Sequence, residues 1–447
     1  MTQPSIPKDI NDVWALVKEN DIEFIKVWFS DILGNLKAFT IPVHELDHAF
    51  EGGVGFDGSS VEGFTRIDES DMLAWPDPTT FTILPWRPNE KGVARMFADI
   101  KHPDGSPFEG DPRYVLKRNL EKMREAGFTD FYVGPELEYF YFKSPESPEP
   151  LDKGGYFDAM PRDEAVDIRR ETILALEKVG IPVEYAHHEV AWSQHEIDLR
   201  YQKALRMADA VMTHRFVVKE IAYAHGVYAT FMPKPLNDQN GNGMHVHQSL
   251  FNDEKNAFFD ADDKWHLSET CRQYIAGLMK HAPEIAMVTN PTVNSYKRLV
   301  PGYEAPVYVT WALRNRSDMI RVPYYKPGKE KATRIEFRSP DPSVNPYLAF
   351  SAMLASGLYG IENKMKVDTP VEENVYEMPS HIRAERGIKS LPGNLRHAIE
   401  LAEGSELLRT ALGDHIYTNL IASKKIEWEK YQAQVTPYEI ETYLPVL

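Results

Sequence analysis

Apolar residues recur at helical spacing at Ile10, Val13, Trp14 and Val17, which predicts a short amphipathic helix over residues 9–19. The period then shortens. Phe24–Phe29 and Leu36–Ile41 are β-rich runs separated by Asp31-Ile-Leu-Gly-Asn35, and they read as a hairpin. Short strands near Thr80–Leu84 and Ala94–Asp99 alternate with proline-rich turns, and His102-Pro-Asp-Gly-Ser-Pro107 reads as a turn or linker. Residues 1–105 therefore form a small β-rich domain in this reading. Asp111-Pro112 then opens a helix, since Asp suits the cap and Pro the first helical position, and Gly127 is placed to end it. Beyond it strands are expected over Phe128–Phe142, Ile181–Val190, Val227–Met232, Met244–Phe251, Tyr308–Leu313 and Arg334–Arg338. Helices are expected over Asp163–Val179, Leu199–Ala224, Ser268–His281, Tyr347–Met365, Glu406–Leu412 and Asp414–Gln434. Residues 106–447 thus read as a second, larger domain of α/β or α+β type, with no internal repeat and no low-complexity tract.

Composition narrows the class. A chain of 447 residues exceeds one ordinary core. No run of about 18 apolar residues is present, and Met1–Asp9 lacks the pattern of a secretory signal, so neither a membrane partner nor export is expected. The single cysteine, Cys271, excludes an intrachain disulfide and a thiolate metal cage and fits a reducing cytoplasm. A net charge of −17 argues against nucleic-acid binding. Against that acidic background, Tyr296–Arg338 carries ten Lys or Arg and only four Asp or Glu. That is either a solvated basic face or a pocket for anions.

Four stretches carry candidate chemistry. In Asn240-Gly-Asn-Gly-Met-His-Val-His-Gln-Ser249 a flexible polar loop feeds a strand on which His245 and His247 share one face. Glu136 and Glu138, two apart on a strand with aromatic flanks, would repel unless a cation lay between them. His187-His-Glu-Val-Ala-Trp-Ser-Gln-His-Glu196 combines Glu189 and Glu196 with three histidines, a donor set that suits Mg²⁺ or Mn²⁺. Arg334, Glu336 and Arg338 alternate with apolar residues, placing a cation ligand between two anion clamps; Arg316 and Arg321 precede them. Each stretch also has a plainer reading, as a turn, an exposed strand edge or a half-buried strand. Arg298-Leu-Val-Pro-Gly-Tyr-Glu304 has the turn chemistry of a flap. Phosphate-loop, dinucleotide-fold and nucleophile-elbow motifs are absent, so any ATP chemistry must use metals and arginines.

Taken together, Phe56-Asp-Gly-Ser-Ser60, Gly134-Pro-Glu-Leu-Glu138, His187-His-Glu-Val-Ala191 with Gln194-His-Glu196, Asn240–His247, Lys297–Val307, Arg314–Ser317 and Arg334–Asp341 closely resemble glutamine synthetase type I, in the family's order and over essentially the whole chain. The resemblance implies an α+β chain. Its small N-terminal domain is a β-grasp, and its larger C-terminal catalytic domain has a curved antiparallel sheet with helices. It implies a homo-dodecamer of two stacked hexameric rings, with active sites between neighbouring subunits. By position, Glu138, Glu189 and Glu196 would bind one metal, and Glu136, His245 and Glu336 the other. L-Glutamate would meet Arg298, Arg338, Glu304 and the Asn240-Gly241 backbone. ATP would meet Glu184, His247, Ser249, Arg316, Arg321, Lys331 and Arg334. Glu304 would close the site, and Asp57 of an adjacent subunit would bind and deprotonate ammonium. The implied activity is ATP-dependent ligation of ammonia to glutamate.

Departures qualify the resemblance. Trp192-Ser193 stands where the family commonly has Pro-Gly, which bears on loop shape. The short chain and Val61-Glu-Gly-Phe-Thr-Arg66 resemble the alpha subclass, in which the arginine takes part in feedback by glutamine; Arg66 is the regulatory candidate. Tyr376-Glu-Met-Pro379 differs from the family's adenylylated stretch, so no adenylylation is expected. The resemblance leaves room for activation by 2-oxoglutarate and for nitrogen-regulatory proteins as partners. Two rival readings are a metal-dependent amidohydrolase, suggested by His245-x-His247, and a catalytically silent scaffold. The first needs no such set of arginines, and the second does not fit the complete set of metal and substrate positions.

Overall fold

The computed structural model describes residues 6–58, 71–86, 91–313, 315 and 317–447. Two expected site residues, Arg66 and Arg316, lie outside them. The chain opens on α1 (Ile10–Glu19), whose first turn is capped by the Asp9 carboxylate accepting from Asn11 N and Asp12 N. Then follow β1 (Ile22–Ser30), β2 (Leu36–Pro42), α2 (Leu46–Gly52), β3 (Val54–Asp57), β4 (Asp71–Pro76), β5 (Thr82–Ile83) and β6 (Gly92–Lys101). The strands order as β2-β1-β6-β4-β3, with β5 on β6; β1 and β2 form the expected hairpin, and β1 runs parallel to β6. Both faces of this sheet are buried. Ile25, Val27, Met96 and Ala98 pack with α1 residues Val13 and Val17, while Trp28 and Phe97, of opposite parity, join the core of the larger unit.

The larger unit comprises α3 (Pro112–Glu125), β7 (Asp130–Phe142), α4 (Val166–Lys178), β8 (Val183–His188), β9 (Gln194–Leu199), β10 (Gln202–Lys203), α5 (Ala204–Ala224), β11 (Tyr228–Thr230), β12 (Met244–Asn252), β13 (Lys255–Asn256), α6 (Glu269–Thr289), α7 (Ser295–Arg298), β14 (Trp311–Leu313), β15 (Ile320–Val322), β16 (Ile335–Phe337), α8 (Pro346–Glu362), α9 (Ser380–Glu385), α10 (Leu395–Glu403), α11 (Glu406–Leu412), α12 (Asp414–Gln432) and α13 (Pro437–Tyr443). Its sheet runs β14-β15-β16-β12-β7-β9-β8. It is mixed rather than purely antiparallel, because β14 and β15 pair in parallel. Helices α6 and α8 press together behind it through glycines: a Cβ on Gly277 would lie 2.1 Å from Ser356 O, and one on Gly360 2.0 Å from Gln273 O.

Several elements differ from the sequence reading. The helix expected from Leu199 starts only at Ala204, because Gln194–Leu199 pairs with β7 and β8 as a strand. The helix expected to stop at His281 continues through Pro283 to Thr289. Ala282, Ile285 and Ala286 are buried there, and that packing offsets the hydrogen bond lost at the proline. Only Thr82–Ile83 of the run Thr80–Leu84 is strand, and Pro78–Thr80 forms a 3₁₀ turn. Helices α2, α9, α10 and α13 had no counterpart in that reading.

Candidate active site

Strand register assembles the site. Across β12 and β7, His245 stands opposite Glu136 and His247 opposite Gly134; across β12 and β16, His247 stands opposite Glu336. On the other flank Glu136 faces Asp198, Glu138 faces Glu196, and Glu196 faces His187 on β8. Side chains two apart on a strand share a face, so these rows converge on one side of the sheet. They open into a cavity of about 350 Å³ bounded by Glu136, Glu138, Glu189, Glu196, His245 and Glu336. Asn240, Gly241, Arg298, Glu304, Arg321 and Arg338 complete its wall. A second cavity of about 220 Å³ shares Glu136 and Tyr185 with the first and is lined by Glu184, His247, Ser249, Lys331 and Arg334. The residues expected to serve glutamate and those expected to serve ATP thus fall into two adjoining cavities, with Arg321 on the first. Asp57, exposed at the end of β3, lines neither.

Among the described residues four groups of ligand atoms are close enough to share an ion; one, Asp152, His188 and His195, is buried behind the cavity, and two overlap the expected metal sets. Glu136, His245 and Glu336 offer atoms within 4.8 Å of one another, as do His187, Glu189 and Glu196. The first group is the expected one. In the second, His187 stands where Glu138 was expected: His187 Nε2 is 2.9 Å from Glu189 Oε1, while Glu138 Oε2 accepts from Gly243 N and Gln194 Nε2, both at 2.9 Å. Glu138 remains in the cavity, 4.0 Å from His245 Nε2. Glu136, Glu196 and Asp198 form a further cluster. Asp198 escaped the sequence reading because Leu199 was given to a helix; Glu196-Ile-Asp198 repeats the alternation of Glu136-Leu-Glu138 and would have been found had β9 been seen.

The electrostatics call for a cation. Burial, with Glu189 nearby, pushes the Glu138 carboxyl up to about 8. Burial and the neighbouring Asp198 carry Glu196 well above the ordinary carboxylate range, and burial also raises Asp198. Burial would raise Glu136 and Glu336 as well, but histidine and arginine neighbours prevail. The imidazoles of His247 and His245 hold Glu136 well below its usual value, and Arg338 and His247 bring Glu336 down to about 2. Arg338 donates to Glu336 Oε1 at 2.7 Å, and Arg321 pairs with the other oxygen. A set of oxygen and imidazole donors, short of positive charge on the β9 flank, fits a hard divalent ion.

The two histidines of β12 divide their contacts. His245 Nδ1 lies 3.3 Å from Glu136 Oε2 and 3.7 Å from Glu336 Oε1, while His247 Nε2 lies 2.7 Å from Glu136 Oε1. The other nitrogen of His247 accepts from Arg334 Nε at 3.2 Å. His247 therefore bridges the acidic cluster and the second cavity. The loop before β12 admits no side chain at Gly243, where a Cβ would lie 2.7 Å from an Arg298 amine nitrogen and 3.0 Å from His245 Nε2. Buried Arg298 donates to Ser339 O at 2.7 Å. Glu304 reaches Asn240, whose Nδ2 donates to its Oε2 at 3.1 Å, from a left-handed backbone (φ 57°) unusual for a side-chain-bearing residue.

The turn between β8 and β9 is pinned from behind. Asp152 Oδ1 accepts from Gly154 N and Ser193 N, and lies 2.9 Å from His188 Nε2; the other His188 nitrogen contacts Glu189 O at 2.7 Å. Ser193 holds φ 56°, which accounts for glycine being the easier residue at this turn. Its hydroxyl accepts from Asp152 N at 2.7 Å, a tie a glycine could not make. Trp192 beside it is exposed, with the Lys153 ammonium 5.0 Å from its ring. Tyr376 lines the first cavity and donates to Ala305 O at 2.5 Å.

Comparison with known proteins follows the same division. The family profile described as the glutamine synthetase β-grasp domain matches residues 21–103, and that of the glutamine synthetase catalytic domain matches residues 109–443. A glutamine synthetase of Methanosarcina mazei is 51% identical over 440 residues, 98% of either chain. One of Thermotoga maritima is 49% identical over 97% of this chain and 99% of its own. Among solved structures, Plasmodium falciparum glutamine synthetase superposes with a TM-score of 0.88 at 26% identity, covering 99% of this chain and 100% of the other. A GmaS/ADP complex superposes with a TM-score of 0.87 at 32% identity, over 96% and 99%. With both domains matched and half of the residues identical along nearly its full length, this chain belongs to the glutamine synthetase family.

Proposed function

We propose that the chain is a glutamate–ammonia ligase that converts L-glutamate, ammonium and ATP into L-glutamine, ADP and phosphate through γ-glutamyl phosphate. The observation that carries this reading is the pair of adjoining cavities sharing Glu136, one walled by carboxylates and arginines and the other by Arg334, Lys331 and His247. Nucleotide phosphates entering from the second cavity would meet His247 and Arg334, with Glu184, Ser249 and Lys331 around the remainder. Glutamate in the first would be held by Arg298, Arg338 and the Asn240-Gly241 backbone, placing its γ-carboxylate for in-line attack on the γ-phosphate. Arg321, and Arg316 outside the described residues, would offset the charge that develops on the phosphoryl oxygens. Glu136, His245 and Glu336, and Glu138, Glu189 and Glu196, would hold Mg²⁺ or Mn²⁺, which would supply positive charge to offset that of the phosphates. His187 belongs with the second of these sets on the distances above.

Glu304 would close over the acyl phosphate through its Asn240 contact and exclude water. Asp57 would attract ammonium and take its proton. Since Asp57 does not line its own chain's cavity, it would act on a neighbour's, which supports the ring dodecamer. The exposed apolar side chains of Tyr438, Ile440, Tyr443, Leu444 and Val446 at the C-terminus also favour assembly. The division near residue 105 is supported by the passage from the first sheet to α3 between Lys101 and Pro112. Cytoplasmic residence is supported by the lone buried cysteine and by the absence, among the described residues, of a helix long and apolar enough to cross a membrane. Feedback by glutamine through Arg66 is part of the same reading. The test is phosphate release from ATP: release should require both glutamate and ammonium, and release that needs neither would overturn the ligase reading.

A further inference from the structure

A cavity lies away from the active site, at the seam where β5 and β6 of the small sheet meet α5. It measures about 470 Å³. Of the three arginines that line it, Arg206 is exposed, while Arg95 and Arg113 are almost fully buried. Their circumstances are opposite. Arg113 is surrounded by acids: its nitrogens lie 2.5 Å from Asp99, 2.7 Å from Asp77 and 3.2 Å from Asp209. Asp209 is further engaged by the Tyr347 hydroxyl at 2.6 Å. Among the described residues no carboxylate lies within ion-pair distance of Arg95. It donates to Thr80 O at 2.5 Å and to Thr213 Oγ1 at 3.2 Å, and its Nε has no hydrogen-bond partner among the described residues. Its guanidinium carbon sits 4.8 Å from the Phe97 ring and 5.3 Å from that of Trp28.

A buried charge whose hydrogen bonds go only to neutral oxygens is costly, and the attraction of Asp209, itself paired with Arg113, offsets only part of that cost. Burial accordingly pushes Arg95 down to about 10. The buried Arg215 also lacks a carboxylate, but it is closed off by donating to the carbonyls of Pro342, Val344 and Gly34. Arg95 instead keeps an unused donor beside a cavity that Arg206 also lines. Leu16, Phe81, Ile83 and Ile181 supply an apolar part of the lining, and Glu19, Asp77 and Asp209 an acidic part.

We propose that this seam is a second ligand site, for a small organic acid whose carboxylate pairs with Arg95 and whose hydrocarbon part lies against the apolar wall. A carboxylate there would supply the missing counter-charge and take the Nε–H in a charge-assisted bond. The ligand would span β6 and α5, tying the sheet that carries Asp57 to the catalytic unit. Occupancy would therefore change how firmly the two units are held together.

The assembled protein, free of nucleotide and metal, is titrated with butyrate, glutarate and inorganic phosphate while its melting temperature is followed. Because an acid can also enter the glutamate cavity, the titration is repeated in Arg338→Gln. Arg95→Met removes the buried charge at similar volume, a change that cores often tolerate, and Arg206→Ala is a surface control for the same wall. The proposal expects saturable stabilisation by the carboxylates that persists in Arg338→Gln, is lost in Arg95→Met and is weakened several-fold in Arg206→Ala. Stabilisation equally strong with phosphate would overturn the organic-acid assignment. Stabilisation lost in Arg338→Gln but kept in Arg95→Met would place all binding in the active site and overturn the second site, as would no stabilisation at all. If Arg95→Met fails to assemble, Arg95→Lys, which keeps the charge but loses the fork, decides by the same criterion.

Discussion

Glu138 shows how residue-scale electrostatics bear on metal use. Its ordinary value is 4.5, and burial with the Glu189 neighbour raises it to about 8 in the metal-free site. Between those values the folded, metal-free protein holds a proton that the unfolded chain has released. This contribution to stability is therefore greatest at low pH and is lost as pH rises towards 8. A divalent ion must displace that proton, so metal binding at pH 7 should release protons. Calorimetry of Mg²⁺ binding in two buffers of different ionisation enthalpy should show about one proton released from Glu138, with Glu196 adding to it, and tighter binding as pH rises through 8. Binding heats independent of buffer would contradict the arrangement. At this scale alternation along a strand pairs Glu136 with Glu138 and His245 with His247 and sets Glu336 between two arginines, whereas Glu189 and Glu196 are legible as a donor-rich run and by resemblance. The sequence did not reveal that Glu138 turns to the Gly243 amide, which depends on pairing between strands far apart in the chain, or that the His187 ring turns towards Glu189, two residues on, at the end of β8.

At the scale of elements, the β8–β9 hairpin carries Glu189 and Glu196, and its shape is set from outside by Asp152. One carboxylate there gathers the Ser193 and Gly154 amides and the His188 ring. Asp152→Asn keeps the size but loses the charge that orients His188. Outer-shell changes of this kind typically weaken metal affinity about 10- to 100-fold. The expected outcome is Mn²⁺ affinity reduced by about tenfold or more, with an unchanged far-ultraviolet circular dichroism spectrum; unchanged affinity would show that the hairpin holds its shape without the clamp. The hairpin itself was only half legible. Its first strand has a β-rich run, but most of its second, Gln194–Leu199, is charged and polar and carries no clear local pattern, so only the helix from Leu199 is expected there, and pairing with β7 decides for strand. The same competition, with packing as the winner, carries α6 through Pro283. The long central strands β7 and β12, with clear alternation, were expected almost to the residue.

For the whole molecule, the account turns on a site shared between chains. Asp57 belongs to the small sheet and does not line its own chain's cavity, whereas Glu336 lies inside it. A chain with Asp57→Ala keeps its cavity, and a chain with Glu336→Gln keeps its Asp57. Co-assembled in equal amounts, two inactive variants should regain about a quarter of the wild-type activity if pairing is random and each site draws Asp57 from a neighbour. No recovery, despite mixed particles by native mass spectrometry, would place Asp57 in its own chain's site or outside catalysis. The small β-rich unit and the larger one after it were readable from short strands alternating with proline-rich turns, followed by a longer alternation of strands and helices. The cavity between the units was not, because Arg95 on β6 reads as an ordinary strand charge until α5 is seen packed over it.

The central claim is that the γ-carboxylate of glutamate attacks ATP before ammonium enters. In that sequence one oxygen of the carboxylate leaves with the phosphate. With glutamate labelled with ¹⁸O in its γ-carboxylate, each phosphate released as glutamine forms should carry one labelled oxygen. Phosphate free of label, with glutamine still produced, would contradict that claim.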